Sequence, residues 1–318
     1  MPEVLNDFIF SLNTVLPVFV IVMVGYYIRH RGTVDDNFIS CVSNVVFYYA
    51  LPAGIFLDVA QTDTAELFNP RFVMVTLLGT AGVFFAAWFV ISRFYHDRKE
   101  VAAAVHSAYR GNFIYIGIPI IQNILQTDKL TCSVLVITFV LSLYNVLAVF
   151  ILSVSAGDMT KMHPGRLALT ILKNPMIVAT LMGVAYAMTG LPLPTVAQQS
   201  LSYLKVIASP LALLMIGMRM YGNSFSGEGG LIRLSLFFKL VLGPLVMTLI
   251  AVFLGMSQEE IVTIYVLFGV PCAMNVYIMT KSMGGDDGIA ANIIVSSVIL
   301  SIFTMTVGIF MLRTFGIV

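Results

Sequence analysis

Charged side chains are scarce in this sequence. They make up 10% of its 318 residues, whereas hydrophobic residues make up 59%. A soluble domain of ordinary composition carries about 25% charged residues. A chain this poor in charge cannot cover a water-facing surface, which excludes a soluble globular protein and predicts one integral membrane body. The formal net charge of +1 also offers no basic patch for nucleic acid.

Cysteine and histidine are few as well. The three cysteines, Cys41, Cys132 and Cys272, are an odd number without C-x-x-C spacing, and we interpret them as free thiols. The four histidines are scattered, so we expect neither a metal nor a cofactor. No H-E-x-x-H, G-x-S-x-G or G-x-G-D motif occurs, which disfavours an intramembrane enzyme.

Long apolar runs occupy most of the chain. The first, Phe8–Ile28, follows Glu3 and Asp7 rather than a basic stretch, which suits a membrane span better than a cleaved signal. Because lipid cannot hydrogen-bond the backbone and the runs lack two-residue alternation, we predict ten transmembrane helices. The other nine runs lie at about 38–60, 71–92, 101–125, 131–155, 168–189, 197–221, 231–255, 260–283 and 288–315.

Positive charges divide unevenly between the two sets of connections. The positive-inside rule places the richer set in the cytoplasm and both termini outside it. An even number of spans agrees with this, because it places both termini on the same side. We therefore predict a multi-pass protein of the plasma membrane. The richer set has eleven cations: Arg29, Arg31, Arg93, Arg98, Lys99, Lys161, Arg166, Lys173, Arg219, Arg233 and Lys281. The poorer set has three: Arg71, Lys129 and Arg313.

Glycine and proline positions indicate an internal repeat. Two prolines and one glycine each recur 158 positions later in the sequence, and a Gly-x-Pro motif recurs 152 positions later. We predict five helices in each of residues 1–155 and 156–318, with the second copy inverted because five is odd. Inverted repeats are typical of secondary transporters. The pairs are Pro17 with Pro175, Gly25 with Gly183, Pro52 with Pro210, and Gly117-Ile118-Pro119 with Gly269-Val270-Pro271.

The two Gly-x-Pro motifs predict interruptions in the fourth and ninth spans. Proline removes a hydrogen-bond donor, and the preceding glycine tolerates a bend. We expect the next N–H groups to point at a shared cavity and favour a carboxylate there. Kinks that only shape packing are the alternative. The N–H groups concerned are those of Ile120, Ile121 and Gln122, and of Cys272, Ala273 and Met274.

Polar residues around these motifs are the candidate substrate ligands. Asn112 and Asn275 come first, because an amide can donate to a carboxylate, although each could instead bond a neighbouring helix. Arg110 could be a deep anion ligand or could snorkel to the interface. The remaining candidates are Tyr115, Gly117, Pro119, Asn145, Gly269, Pro271 and Cys272.

Three other charged residues fall within predicted spans. Lys205 and Lys239 could snorkel or line a cavity. Asp58 could carry a coupling proton, or could lie in solvent near the end of its span. The segment Gly284–Gly288 predicts a loop rather than an ion site. Together these features favour a secondary transporter of a small organic anion over an anion channel, a membrane sensor without active accumulation, or an enzyme.

Several motifs, in their order along the chain, resemble those of the auxin efflux carrier family and its bacterial malonate and malate permeases. The resemblance covers essentially the whole chain. Its motifs are Arg110–Pro119, Asn174-Pro175-Met176, Ser209–Met218, Gly269–Asn275 and Ser296-Ser297.

This resemblance implies a fold like that of bile-acid and sodium/proton antiporters, with broken fourth and ninth helices that cross. It implies a scaffold of spans 1, 2, 6 and 7, a transport domain of spans 3–5 and 8–10, and an elevator-like mechanism. Dimers through the scaffold are a further implication. Whether protons, sodium or voltage drive transport stays open, with proton or sodium coupling as one expectation. The long cytoplasmic insert of the plant members is missing, which favours a substrate such as a mono- or dicarboxylate over a plant hormone.

Overall fold

The computed structural model describes residues 2–61, 69–127, 131–156, 175–221 and 229–318. The regular elements in these ranges are all helices. Seven of them are long and apolar enough to cross a membrane. This confirms the prediction of an all-helical, multi-pass membrane protein.

The helices are numbered here along the described chain. Where an interruption divides a predicted span into two helices, each of the two helices has its own number. In order they are α1 (Pro2–His30), α2 (Asp36–Ala60), α3 (Pro70–Phe94), α4 (Arg98–Tyr109), α5 (Phe113–Leu125), α6 (Thr131–Ser155), α7 (Pro175–Ala187), α8 (Thr195–Met220), α9 (Gly229–Phe253), α10 (Gln258–Gly269), α11 (Asn275–Ser282) and α12 (Asp287–Thr314).

Two predicted runs are each divided between two helices. The run at 101–125 forms α4 and α5, and the run at 260–283 forms α10 and α11. The run at 168–189 is described only from Pro175 onward, where it forms α7. Four of the counted cations and one motif residue lie outside the described residues: Lys129, Lys161, Arg166, Lys173 and Asn174.

One group of helices is held by close backbone contact. Helix α1 packs along α8, and α7 packs along α2. A Cβ on Gly25 would overlap the Leu214 carbonyl, and one on Gly217 would overlap the Val22 carbonyl. Glycine is therefore required where α1 and α8 touch, as at other close helix crossings in membranes.

A second group surrounds the two divided helices. Helix α3 packs on α4, α9 packs on α10, and α6 packs on α4. Helix α12 contacts α4 and α11 in this group and also α1 in the first. At that junction Arg313 Nε lies 2.7 Å from Asp7 Oδ1, which joins α12 to α1 by an ion pair.

Side-chain caps fix several helix starts. Asp97 accepts hydrogen bonds from the backbone of Lys99 and Glu100 at the start of α4. Asp286 accepts one from Ile289 at the start of α12. The loop predicted at Gly284–Gly288 extends only to Asp286, because α12 begins at Asp287. Within this loop Gly284 has φ +80°, a backbone conformation that glycine tolerates.

The start of α10 carries a capping box. Ser257 Oγ accepts from the Glu260 N–H, and Glu260 accepts from the Ser257 N–H. We expect Ser257→Ala to lower the free energy of unfolding by about 1 kcal/mol, because the first turn loses its cap. Thermal unfolding in detergent measures this. Ser40→Ala is the control, since that hydroxyl bonds only the Asp36 carbonyl of its own helix. Equal melting temperatures in both variants would contradict the expectation.

Five of the described prolines lie within helices without ending them: Pro17, Pro52, Pro119, Pro210 and Pro244. Pro52, Pro119 and Pro244 each follow a π-helical turn by two residues. Proline normally clashes with the carbonyl four residues earlier, and the wider π turn moves that carbonyl away. The turns are Val46–Ala50, Phe113–Gly117 and Phe238–Leu242.

Candidate functional site

The two divided helices cross at their interruptions. Gly111, between α4 and α5, forms an isolated antiparallel bridge with Cys272, between α10 and α11. The Asn112 N–H donates to the Pro271 carbonyl at 2.8 Å, and the Ala273 N–H donates to the Arg110 carbonyl at 3.1 Å. Each interruption thus satisfies backbone groups of the other, which a buried crossing requires.

The interruption of the predicted fourth span is not at its Gly-x-Pro motif. It lies at Arg110–Asn112, seven residues before Pro119, and α5 begins at Phe113. Gly117 and Pro119 are buried inside α5 and line neither cavity described below. The expectation of a fresh helix start at Ile120–Gln122 was therefore wrong. The π turn before Pro119 is the reason, because it lets the helix continue through the proline.

The interruption of the predicted ninth span is at Pro271, as expected. Two of the three N–H groups after it, however, are already bonded. The Cys272 N–H donates to Ser297 Oγ at 2.9 Å, and the Ala273 N–H donates to the Arg110 carbonyl. The expectation that these two groups face a solute is corrected, because leaving a buried amide unpaired costs about 1–3 kcal/mol.

Gly111 is the glycine on which the crossing depends most closely. A Cβ at this position would lie 2.7 Å from Lys239 Nζ and 2.9 Å from the Leu267 carbonyl oxygen. At Gly117 and Gly269 the nearest atoms would be 3.1 Å away and belong to side chains. A side chain at position 111 would consequently push the two interrupted segments apart.

Two cations are buried around the crossing. Arg110 is 6% exposed and donates to Asn145 Oδ1 at 2.9 Å and to Met279 Sδ at 3.2 Å. Lys239 is 1% exposed and donates to the Phe268 carbonyl at 2.9 Å. Neither side chain snorkels. Asn145 serves as a partner of Arg110, so both cations are positioned by neutral acceptors in the protein interior.

A cavity of roughly 330 Å³, here called the Arg219 cavity, lies beside the crossing. Its walls come from α2 and α8 on one side and from α5 and α11 on the other. Two predicted ligands, Tyr115 and Asn275, line it together. Arg219 is the one charged side chain among the described wall residues, and it donates to Ser43 Oγ at 3.0 Å. The other wall residues are Ser43, Asn44, Phe47, Tyr48, Ala212, Met215, Ile216, Met274 and Ile278.

The electrostatics of this cavity favour an anion. The first turns of α5 and α11 line it through Tyr115 and Asn275, and a helix start carries about half a positive charge. Arg219 adds a full charge and hydrogen-bond donors. The nearby Asp36, in an adjoining space of roughly 270 Å³, is paired with Arg29 at 2.8 Å. The cavity therefore suits a small solute that carries a carboxylate.

A second cavity of roughly 400 Å³ is here called the Lys205 cavity. It is lined by α2, α5 and α8, which also line the Arg219 cavity, and by α6. It contains Asp58, whose Oδ1 lies 2.6 Å from Lys205 Nζ. The amide of Gln122 and the hydroxyl of Ser202 also line it. Asp58 and Lys205 thus face a cavity as a partly exposed ion pair. Among the described residues, no group of three His, Cys, Asp or Glu side chains could hold a metal.

The remaining predicted ligands form the crossing or support it, and they line neither cavity. These residues are Asn112, Arg110, Gly269, Pro271, Cys272 and Asn145. Sequence reasoning missed Arg219, which it counted only as a cytoplasmic cation. A usable signal was present, because Arg219 falls inside the predicted seventh run and lies four and seven residues after Met215 and Ala212, on one helix face.

Comparison with known proteins agrees with this architecture. The family described as "Membrane transport protein" matches residues 10–309. A Rhizobium meliloti protein named "Putative malonate transporter" is 28% identical over 309 residues, 94% of this chain and 95% of that protein. The Escherichia coli "Uncharacterized transporter YfdV" is 23% identical over 258 residues, 79% of this chain and 82% of that protein. The chain belongs to this membrane transport family, the auxin efflux carrier family, and it is a transporter rather than an enzyme.

Proposed function

We propose that the protein is a secondary transporter of a small organic anion, a mono- or dicarboxylate such as malonate or malate. The Arg219 cavity carries this proposal, because a single cation and two helix starts face a space of small-molecule size. The name of the Rhizobium relative, a malonate transporter, supports the same substrate class. The carboxylate would bind Arg219, with Asn275 and Tyr115 as further donors.

The proposed architecture has ten spans in two inverted repeats, residues 1–155 and 156–318. The seven long helices, α7 and the two divided pairs would supply these ten spans. Two contacts related by the repeat offset support the inversion. Gly25 packs against Leu214, and Gly183 packs against Phe56. Both partners shift by the same amount, since 183 − 25 and 214 − 56 are each 158. The two Gly-x-Pro motifs, which are 152 residues apart, do not support the repeat, because Pro119 does not lie at a helix interruption.

The mechanism that we propose is an elevator-like movement of a transport domain against a scaffold. The scaffold would consist of α1, α2, α7 and α8, which pack against each other in pairs. Both cavities lie between this group and helices of the proposed transport domain. Movement would also have to separate Arg313 from Asp7, because this ion pair joins α12 to α1.

Orientation, assembly and coupling are part of the same proposal. The richer cation face, which includes Arg29, Arg93 and Arg219, would lie in the cytoplasm of a cell bounded by the plasma membrane, with both termini outside. Homodimers would form through the scaffold, whose outer faces expose Tyr49 and Tyr203. Proton or sodium coupling, with Asp58 as the carboxylate involved, stays a prediction.

Uptake by reconstituted protein tests the proposal. Proteoliposomes should take up labelled malonate or malate with saturable kinetics, and a trans-side excess of unlabelled solute should accelerate uptake of the label. Protein-free liposomes are the control. A large conductance without saturable exchange would instead identify a channel. If no small carboxylate is exchanged or accumulated, the assignment to organic anions is wrong.

A further inference from the structure

The Lys205 cavity and the Arg219 cavity occupy equivalent positions in the two repeats. Adding 158 to four wall residues of the Lys205 cavity, three in α2 and one just past its end, gives the four α8 wall residues of the other cavity: Gly54 gives Ala212, Leu57 gives Met215, Asp58 gives Ile216 and Gln61 gives Arg219. Subtracting 158 from three α8 wall residues of the Lys205 cavity gives three of the four α2 wall residues of the Arg219 cavity: Ser202 gives Asn44, Lys205 gives Phe47 and Val206 gives Tyr48. The offset was obtained from other residues, so this agreement is independent of it.

The two cavities lie toward opposite ends of α2 and α8, which line both of them. The Arg219 cavity includes Ser43 near the start of α2 and Arg219 at the end of α8. The Lys205 cavity includes Gln61 just past the end of α2 and Gln198 near the start of α8. On α5, Tyr115 lines the Arg219 cavity, whereas Ile118 and Gln122 line the Lys205 cavity. An inverted repeat places two such spaces on opposite sides of one binding region, as alternating access requires.

Each cavity contains a cation, and the cation of the Lys205 cavity is paired with a carboxylate of the same wall. Lys205 lies 2.6 Å from Asp58, and their side chains are 24% and 26% exposed. A partly solvated pair of this kind is worth about 0–1 kcal/mol. The ammonium group has three donors, and a carboxylate from solution could take the place of Asp58 without a change in bonding chemistry. Ser133 adds a buried hydroxyl without a hydrogen-bond partner among the described residues.

We propose that Lys205 is a second carboxylate-binding site, which receives the solute on the cation-poor face. When solute is absent, Asp58 forms the ion pair with Lys205. When solute binds, its carboxylate replaces that of Asp58 in the ion pair. The inference rests on the proposed transport of organic anions. It gives Asp58 the role of a competing internal ligand and Arg219 the equivalent docking role at the opposite face.

Side-specific kinetics test this site. Malonate exchange is measured in right-side-out vesicles, which present the cation-poor face, and in inside-out vesicles. Lys205→Gln should raise KM at the cation-poor face about tenfold, as expected for a lost charge-assisted hydrogen bond. Asp58→Asn should lower KM at the same face, because it removes the competitor. Lys99→Gln, at an exposed site at the start of α4, is the matched control.

The two variants distinguish a solute-binding site at Lys205 from an ion pair that only stabilises the fold. Both break the same ion pair, so a purely structural pair predicts shifts in one direction, whereas docking predicts opposite shifts. Shifts in one direction, or unchanged KM in both variants, would overturn the Lys205 site while wild-type exchange leaves the proposed function standing. Absence of exchange in the wild type would overturn the proposed function itself, and this inference with it.

Discussion

Arg219→Gln should lower kcat/KM for malonate uptake about 10- to 100-fold, the range for losing a hydrogen bond to a charged group. Arg219 is the one charged side chain among the described residues of its cavity wall. Glutamine preserves polarity and much of the length, so the loss would report on charge. The structure predicts little change in folding, because Arg219 is only partly buried at the end of α8.

Uptake by reconstituted vesicles measures this loss. The matched control is Arg93→Gln, which removes an exposed cation from the end of α3 on the same face. It should leave kcat/KM within about twofold of wild type, since exposed charges that lie a Debye length of about 10 Å or more away are largely screened. A similar loss in both variants would mean that general surface charge, rather than the cavity, attracts the anion.

Gly111→Ala should destabilise the protein and abolish most uptake. The new Cβ would lie 2.7 Å from Lys239 Nζ and 2.9 Å from the Leu267 carbonyl oxygen. Lys239 could yield only by losing its bond to the Phe268 carbonyl, and Leu267 presents rigid backbone. Overpacking in a buried site costs about 1–3 kcal/mol. The bridge to Cys272 would be displaced, and with it the helix starts beside the Arg219 cavity.

The control for this variant is Gly82→Ala in α3. A Cβ at Gly82 meets no atom within 4 Å, and alanine favours a helix interior over glycine by about 1 kcal/mol. Its melting temperature in detergent should equal or exceed that of wild type, whereas that of Gly111→Ala should fall. If the two variants melt and transport alike, the crossing is not the tightly packed junction described here.

The sequence was informative where a pattern had one physical cause. Apolar runs have to be helices in lipid, and the described helices follow those runs. Pro271 marks a true interruption, because the backbone leaves the helix at Val270 and pairs with another segment. Both outcomes depend on local chemistry that can be read from consecutive residues.

The fourth span shows where this reasoning fails. Pro119 has the same local sequence pattern as Pro271, yet a π turn accommodates it within α5. The actual interruption at Gly111 contains no proline. It is stabilised by the bridge to Cys272, which is 161 residues away (272 − 111) and cannot be found from local sequence.

The Arg219 cavity could not be predicted for a similar reason. Arg219 and Ser43 are 176 residues apart in sequence, and they meet only because α2 packs against α8. Tyr115 and Asn275 were identified as polar residues near proline motifs, but their shared cavity depends on the crossing. Residue type alone thus suggested ligands, while tertiary packing decided which of them line the same space.

The most direct measurement of the central claim is an experimental structure of the wild-type protein with malonate bound. We predict a malonate carboxylate in the Arg219 cavity, within about 3 Å of the guanidinium nitrogens, with Tyr115 and Asn275 beside it. A malonate located elsewhere, with the Arg219 cavity unoccupied at a saturating concentration, would contradict the account.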